Sequence, residues 1–531
     1  MTRYIRMNGL PLPLLASAAA TLAVILGLGV LTGRRVRDAS DFDTGGGKAG
    51  TVLTAGAIVG TLVGGSSTIG TAQLAFLHGL SAWWFTLGAA FGCILLAALS
   101  RPLRTSGSGT IQEILGREYG GAAGAATSVL ASAGFIINIV AQILAADALL
   151  DCLFGLPPFL RAGLPALLMA VYVVFGGIRG SGVLGIAKMI LIYLAAAVAG
   201  ITALRLSGGF GTFLRQLPRE RYFDLFSRGI GVDLGAGLSV ALGVLSTQTY
   251  VQAVLSAGSC RSARRGALLS AAVIPPVGFL GILVGYHMRL SFPDLPAGQA
   301  FPRFLLEYLP PVWAGVFLAA LLVAILGTGA GMALGFGRIV VNDLYKRYLD
   351  PRADGARQLL ASRLTILAVL ALSALFTLGS LGDTILSFGF LSMGLRAAVL
   401  LIPMTAALFL PGRMDHGWAV GSSAAGLARL GTAGPTSRSA GAGHRGRGLR
   451  RGNGADRRKA LVRGKEAGIG KAAGLTFRSS ACTFSRSRES RQAPEPGSAV
   501  NRPLPFRRRP IALEGVPGEF FGEAPAGKTA E

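Results

Sequence analysis

Among 531 residues, 51% are hydrophobic and only 14% are charged, with a mean hydropathy of +0.56; soluble domains carry roughly 25% charged residues, so this is a membrane composition. The formal net charge of +26 invites a nucleic-acid reading, but about half of the excess lies beyond residue 426, outside the apolar body of the chain. No Walker loop, HExxH or nucleotide fingerprint occurs and the four histidines are isolated, which argues against ATP-driven transport and enzymatic chemistry.

In chain order, residues 10–32 are apolar over more than about 20 residues, too long for a signal-peptide core, so a first span and no cleavable leader are expected. Residues 51–77 read as a second span, but its centre is Gly64-Gly65-Ser66-Ser67-Thr68-Ile69-Gly70. Gly costs about 1 kcal/mol against Ala in a helix interior, and Ser and Thr compete for backbone hydrogen bonds. In lipid, unwound backbone is tolerated only where protein buries it or where it lines a polar cavity. Such a break is a pointer to the ligand site of a secondary transporter. Apolar runs follow at 80–100, 124–150, 162–177, 183–205, 232–256, 266–288, 312–337, 359–380 and 383–411, giving eleven expected spans and a truncated twelfth at 417–426. Pro275-Pro276 predicts a kink in 266–288.

Short loops carrying Arg34, Arg35, Arg37 and Lys48, then Arg101 and Arg104, Arg179, Arg261, Arg264 and Arg265, and Lys346, Arg347 and Arg352 all fall on one side. By the positive-inside rule that side is cytoplasmic and the N-terminus is outside, in a multi-pass protein of a bacterial-type cytoplasmic (inner) membrane. Loop 206–231 is the exception, basic yet placed outside. The second to eleventh spans divide into five plus five. An odd number per half gives the halves opposite topology. The expected organisation is an N-terminal span and cytoplasmic loop (1–50), two five-helix repeats (51–205 and 232–411) joined by an extracytoplasmic loop (206–231), a truncated span (412–426) and a tail (427–531). The second repeat also opens on a weak centre, Gly243-Val244-Leu245-Ser246-Thr247-Gln248-Thr249.

The tail is rich in Gly, Ala, Ser, Pro and Arg, as in Arg445-Gly446-Arg447-Gly448-Leu449-Arg450-Arg451, without apolar periodicity. It is expected to be disordered and dispensable, with no specific nucleic-acid partner. The abrupt change near Gly426 is what a reading-frame shift would produce. An RNA-binding protein acting through this tail is a separate reading, in which its deletion abolishes function. The cysteines Cys93, Cys152, Cys260 and Cys482 have no metal or disulfide spacing.

Polar residues inside the spans are the candidate site. Gln73, one turn beyond the first break, is expected to face a central cavity. Gln248, Thr249, Tyr250 and Gln252 lie at the second break and suit hydrogen bonding to a small organic solute, with Tyr250 as a gate; helix–helix hydrogen bonding is the alternative for each. Asp147 either binds a cationic group or is structural, and Asp151 is expected at the interface. Arg396, the deepest arginine, either attracts a carboxylate-bearing solute or pairs with another helix. Arg338 and Asp343 suit a gate ion pair or an interfacial position.

Ser40-Asp41-Phe42 with Gly45-Gly46-Gly47, Ser66-Ser67-Thr68-Ile69-Gly70 leading to His78-Gly79-Leu80, Tyr172-Val173-Val174-Phe175-Gly176-Gly177, residues 300–311 followed by Ala314-Gly315, and Asn342-Asp343-Leu344-Tyr345-Lys346 occur in that order. Together they resemble the sodium:solute symporter family of proline, pantothenate and sugar symporters. The likeness covers roughly residues 10–425. It implies an all-α integral membrane protein with a LeuT-type 5+5 inverted-repeat bundle and one extra N-terminal span. It also implies cation-coupled uptake by alternating access. Ser66 and Ser67 match family positions near the solute. The family's sodium ligands match carbonyls of Gly60, Val63 and Ala324, and hydroxyl positions at Gly327 and Thr328; the first of these hydroxyls is missing here. Carbonyls and hydroxyls suit a hard cation.

A second departure lies at Leu184-Gly185-Ile186-Ala187-Lys188, where the family commonly has Thr-Asp-x-x-Gln. The acid is absent and Lys188 takes the glutamine position. An intramembrane lysine is expensive and functional by default. Here it would replace sodium electrostatically, so that coupling uses a proton or no ion; the alternative is that Lys188 snorkels to the cytoplasmic interface. The expected function is a symporter, coupled to sodium or to a proton, that imports a small organic solute. A transporter-like solute receptor, or an uncoupled or inactive paralogue, is the alternative.

Overall fold

The computed structural model describes residues 10–33, 49–107, 110–176, 181–350, 352, 354–380 and 383–432. The Ser40–Gly47 motif, the end of the Gly176-Gly177 motif and the basic tail beyond Thr432 lie outside the described residues.

The chain is helical throughout this range. It runs through α1 (Leu12–Gly33), α2 (Thr51–Leu62), a π-helical turn (Ser66–Gly70), α3 (Thr71–His78), α4 (Trp84–Thr105), α5 (Ile111–Tyr119), α6 (Gly121–Phe154), α7 (Pro158–Gly176) and α8 (Ser181–Leu206). After two short helices in the connecting loop come α9 (Ile230–Leu245), α10 (Gln248–Leu255), α11 (Cys260–Ser291), α12 (Ala300–Tyr308), α13 (Pro311–Ile339), α14 (Gly355–Leu378), α15 (Ile385–Phe409) and α16 (His416–Thr432). Among the described residues the β pairing is an isolated bridge between Ala49 and Ala257.

Among the described residues seven helices are long and apolar enough to cross a membrane, or eight if α9 and α10, bent by 46° at their break, count as one span. Leu12–Ile25, Thr51–Leu62 and Pro158–Tyr172 are shorter apolar helices; with these three, each of the eleven expected runs is helical. Thr51–Leu62 is short because the chain leaves the helix at Val63 (φ −84, ψ 96). Leu364, Leu367, Leu372 and Leu375 of α14 are exposed, an apolar stripe of the kind a bilayer covers. The loop arginines that complicate the charge rule are engaged locally: Arg228 Nε donates to Asp233 Oδ1 at 2.6 Å, and Arg221 Nε to the Leu77 carbonyl at 3.1 Å.

Small residues bring the halves together, as helix packing in lipid requires. A Cβ added at Gly92 of α4 would stand 2.6 Å from the Ala241 carbonyl oxygen of α9, and Gly88 meets Gly237 in the same way one turn earlier. Two buried apolar clusters result. One holds Leu96, Val240 and Ile282, the other Ile139, Phe317 and Leu321. The interrupted span takes part in both, through Ile58 and Ile69.

Helix α11 continues through Pro275 and Pro276, with Tyr193 and Trp83 donating to the Val273 and Pro275 carbonyls at 2.9 and 3.0 Å. Two features depart from expectation. Helices α5 and α12 are short amphipathic helices outside the apolar runs; α5 starts where Thr110 Oγ1 accepts the Glu113 N–H at 3.0 Å. Helix α16 runs on past residue 426 to Thr432, seated on α15 by Ser423 Oγ donating to the Val399 carbonyl at 2.7 Å.

Candidate functional site

At the first break the freed backbone groups are satisfied by nearby side chains. The Gly64 N–H donates to Ser67 Oγ at 3.0 Å instead of continuing the α2 ladder. The Gly64 carbonyl accepts from Ser67 Oγ at 3.1 Å and Thr68 Oγ1 at 2.8 Å. Gln142 of α6 closes the other side: its Oε1 accepts the Gly65 N–H at 3.1 Å and its Nε2 reaches Ser66 Oγ at 3.4 Å. The glycines are required by close approach. A Cβ at Gly64 would stand 2.9 Å from Thr328 Oγ1, and one at Gly65 would stand 3.0 Å from Ile325 Cγ1. Gln142 was not singled out as a site residue; an amide inside the apolar run 124–150 was the available signal.

Of the positions expected to hold a cation, Thr328 is brought against this break. Gly60, Val63 and Ala324 are buried, and Thr328 is 7% exposed. Thr328 faces Gly64 and accepts a hydrogen bond from Lys188 Nζ at 2.9 Å. Lys188 itself is 7% exposed, so its ammonium points into the bundle rather than out to the interface. At Gly327 a Cβ would meet nothing nearer than the Tyr172 hydroxyl at 4.0 Å. The missing hydroxyl ligand therefore has room, and only the residue type removes it. A tethered cation and one hydroxyl stand beside an unwound backbone.

The second break falls between α9 and α10, with Ser246 at φ −96, ψ 5 and Thr247 at φ −102, ψ 118. Thr247 Oγ1 returns to the Gly243 carbonyl at 2.6 Å. Tyr250 is 1% exposed, and Thr249 Oγ1 is buried with no hydrogen-bond partner. Gln248 divides its amide: Oε1 accepts the Ile111 N–H of α5 at 2.9 Å, while Nε2 is buried without a partner. Helix α15 joins the two breaks. A Cβ at its Gly389 would lie 3.7 Å from Ser66 Oγ, and one at Gly243 would lie 2.6 Å from Met393 Cβ. The breaks therefore sit about one turn, roughly 6 Å, apart along one helix.

Not every candidate joins this cluster. Gln73 is committed to the start of α15, its Oε1 accepting the Ile385 N–H at 2.8 Å and its Nε2 donating to the Asp383 carbonyl at 3.2 Å. Asp147 pairs with Arg161 Nε at 3.3 Å, and Asp151 with Arg161 Nη1 and Gln299 Nε2, which makes both structural at the end of α6. The Asp343 side chain lies outside the described residues.

Two interrupted helices in corresponding positions of two five-span halves, meeting on a third helix, define a secondary transporter. The sodium:solute symporter family matches residues 42–417, and the chain belongs to that family. A monocarboxylic acid transporter of Corynebacterium glutamicum is 21% identical over 402 residues, covering 68% of this chain and 73% of the relative. A solved structure of a Na+-coupled sialic acid symporter, substrate-bound and outward-open, is similar at a TM-score of 0.63 and 18% identity, over 80% of this chain and 96% of that one. The fold is the LeuT-type inverted-repeat bundle with one extra N-terminal helix. The protein is a multi-pass membrane protein and a cation-coupled solute symporter, hence a transporter and not an enzyme.

Proposed function

We propose that this symporter imports a small organic solute across a cytoplasmic membrane by alternating access, with its N-terminus outside. The solute site is built at the two breaks from Ser66, Ser67, Thr249 and Tyr250, closed on one side by Gln142. The solute is read as an organic acid, the class that the monocarboxylic acid transporter of Corynebacterium glutamicum is named for. Gly60, Val63, Ala324 and Thr328 form the cation position, and Lys188 occupies it.

The observation that carries the coupling reading is the 2.9 Å hydrogen bond from Lys188 Nζ to Thr328 Oγ1, next to Gly64. With the ammonium on Thr328, α8 and α13 are held together against the end of α2. Loss of the proton removes the charge and frees Thr328, so that proton and solute can bias the same conformational equilibrium, which is the thermodynamic content of coupling. The coupling ion on this reading is a proton. A second reading, favoured by the family and by the Na+-coupled structural neighbour, has sodium enter at the same backbone when Lys188 swings aside.

Uptake into proteoliposomes under imposed gradients separates them. An inward proton gradient is expected to drive accumulation, replacement of sodium by choline to change the rate less than about twofold, and Lys188→Ala to abolish the response to the proton gradient. Strict sodium dependence with an unaffected Lys188→Ala variant would overturn the proton reading.

A further inference from the structure

Arg396 stands near the middle of α15 and is 0% exposed. Its Nε donates to the Ser392 carbonyl at 3.1 Å, and its Nη2 donates to Ser392 Oγ at 2.7 Å and to Met393 Sδ at 3.7 Å. The guanidinium lies over Phe135 of α6, 5.4 Å from the ring centre. All of these partners are neutral, and Nη1 is buried without any hydrogen-bond partner. No carboxylate forms an ion pair with Arg396 among the described residues. A charge taken out of water is normally retained only against a counter-charge, and the described part of the protein supplies none.

Its place along α15 ties this orphan charge to the two breaks. Gly389 faces Ser66 at the first break and Met393 faces Gly243 at the second. Arg396 follows Met393 by less than one turn, about 4.5 Å of rise. Tyr250, just beyond the second break, lies within electrostatic reach of it. Opposite, the Arg396 stem packs on Gly134 of α6, where a Cβ would stand 2.6 Å from its Cγ. One turn further along α6, Asn138 Oδ1 is a second buried polar atom without a partner.

We propose that Arg396 binds the carboxylate of the transported solute, with the unpartnered Nη1 and an Nη2 released from the weak Met393 Sδ contact as the donors and Tyr250 closing the site over it. A guanidinium presents two parallel N–H groups that match the two carboxylate oxygens, which an ammonium cannot do. Asn138 supplies an acceptor for a hydroxyl or other donor on the same solute. This assignment rests on the reading of the two breaks as the solute site.

The test uses the purified full chain and a panel of acetate, propionate, pyruvate and lactate, each compared with its neutral amide. Thermal stabilisation reports binding, and gradient-driven uptake reports transport. At least one acid is expected to bind, its amide at least tenfold more weakly. Arg396→Gln is expected to weaken the acid at least tenfold and to erase the difference from the amide, with Arg396→Lys intermediate. Because no carboxylate among the described residues pairs with Arg396, Arg396→Gln is expected to melt no lower than wild type; if it fails to fold, acid-against-amide competition on the wild-type chain still decides. Equal binding of acid and amide, or wild-type affinity in Arg396→Gln, overturns the assignment. Uptake of a neutral solute with no acid bound overturns Arg396 alone and leaves the symporter reading standing. Absence of uptake under every gradient overturns the symporter reading and this assignment with it.

Discussion

Lys188 and Gly327 define the residue-scale problem, because they change the same site in complementary ways. One brings a fixed positive charge to Thr328; the other withholds a hydroxyl where space for it exists. Reversing both should restore an ion site. On the proton reading, the double variant Lys188→Ala with Gly327→Ser is expected to be stimulated by sodium where the wild type is not; uptake that stays indifferent to sodium in the double variant would count against this reading of the site. Gly65 and Gln142 are constrained by packing instead. Gly65→Ala places a methyl against Ile325 and Ala145, an overpacking that costs about 1–3 kcal/mol. Gln142→Leu strands the Gly65 N–H, a loss of roughly 1–3 kcal/mol. Lower melting temperatures in both variants would check this, and unchanged melting would mean that the break relaxes freely.

At the scale of elements, each end of the interrupted span has its own fastening. At the end near Ala49, that residue's N–H donates to the Ser256 carbonyl at 3.3 Å, and its carbonyl accepts the Gly258 N–H at 2.9 Å. Arg104 of α4 donates to the Val254, Leu255 and Ala257 carbonyls at the end of α10. A cation on the free carbonyls of a helix C-terminus is favourable by about 0.3–1 kcal/mol, more when partly buried. Arg104→Ala should therefore loosen this end, read as faster thiol labelling of Ser256→Cys in a chain without other cysteines; an unchanged labelling rate would show that the latch is immaterial. At the other end Gln73 caps α15. Gln73→Leu is expected to cost about 1 kcal/mol of stability while leaving solute affinity within twofold.

Over the whole molecule, the bundle was legible because membrane spans are long apolar runs and because glycine and hydroxyl residues interrupt a helix wherever they cluster. Both breaks were readable from Gly64–Gly70 and Gly243–Thr249 for that reason. Helices α5 and α12 were not, since a scan for apolar runs passes over short amphipathic segments. Side-chain partners were the least legible part. Nothing local in the sequence shows that Ile385, far along the chain, engages the Gln73 amide, or that Thr328 accepts a hydrogen bond from the Lys188 ammonium. Such pairings depend on tertiary packing, which composition and local periodicity do not encode. Ending the chain after Thr432 is expected to leave uptake unchanged, measured against the full-length protein at equal membrane content; loss of uptake would give the basic tail a role.

The most direct test of the central claim, that Lys188 takes the place of the ion at the first break, is to follow the co-transported ion itself. In sodium-free proteoliposomes loaded with a pH-sensitive dye, addition of the transported solute is predicted to acidify the lumen with the wild-type chain and not with Lys188→Ala. Solute entry without acidification, accompanied by labelled sodium when sodium is supplied, would contradict it.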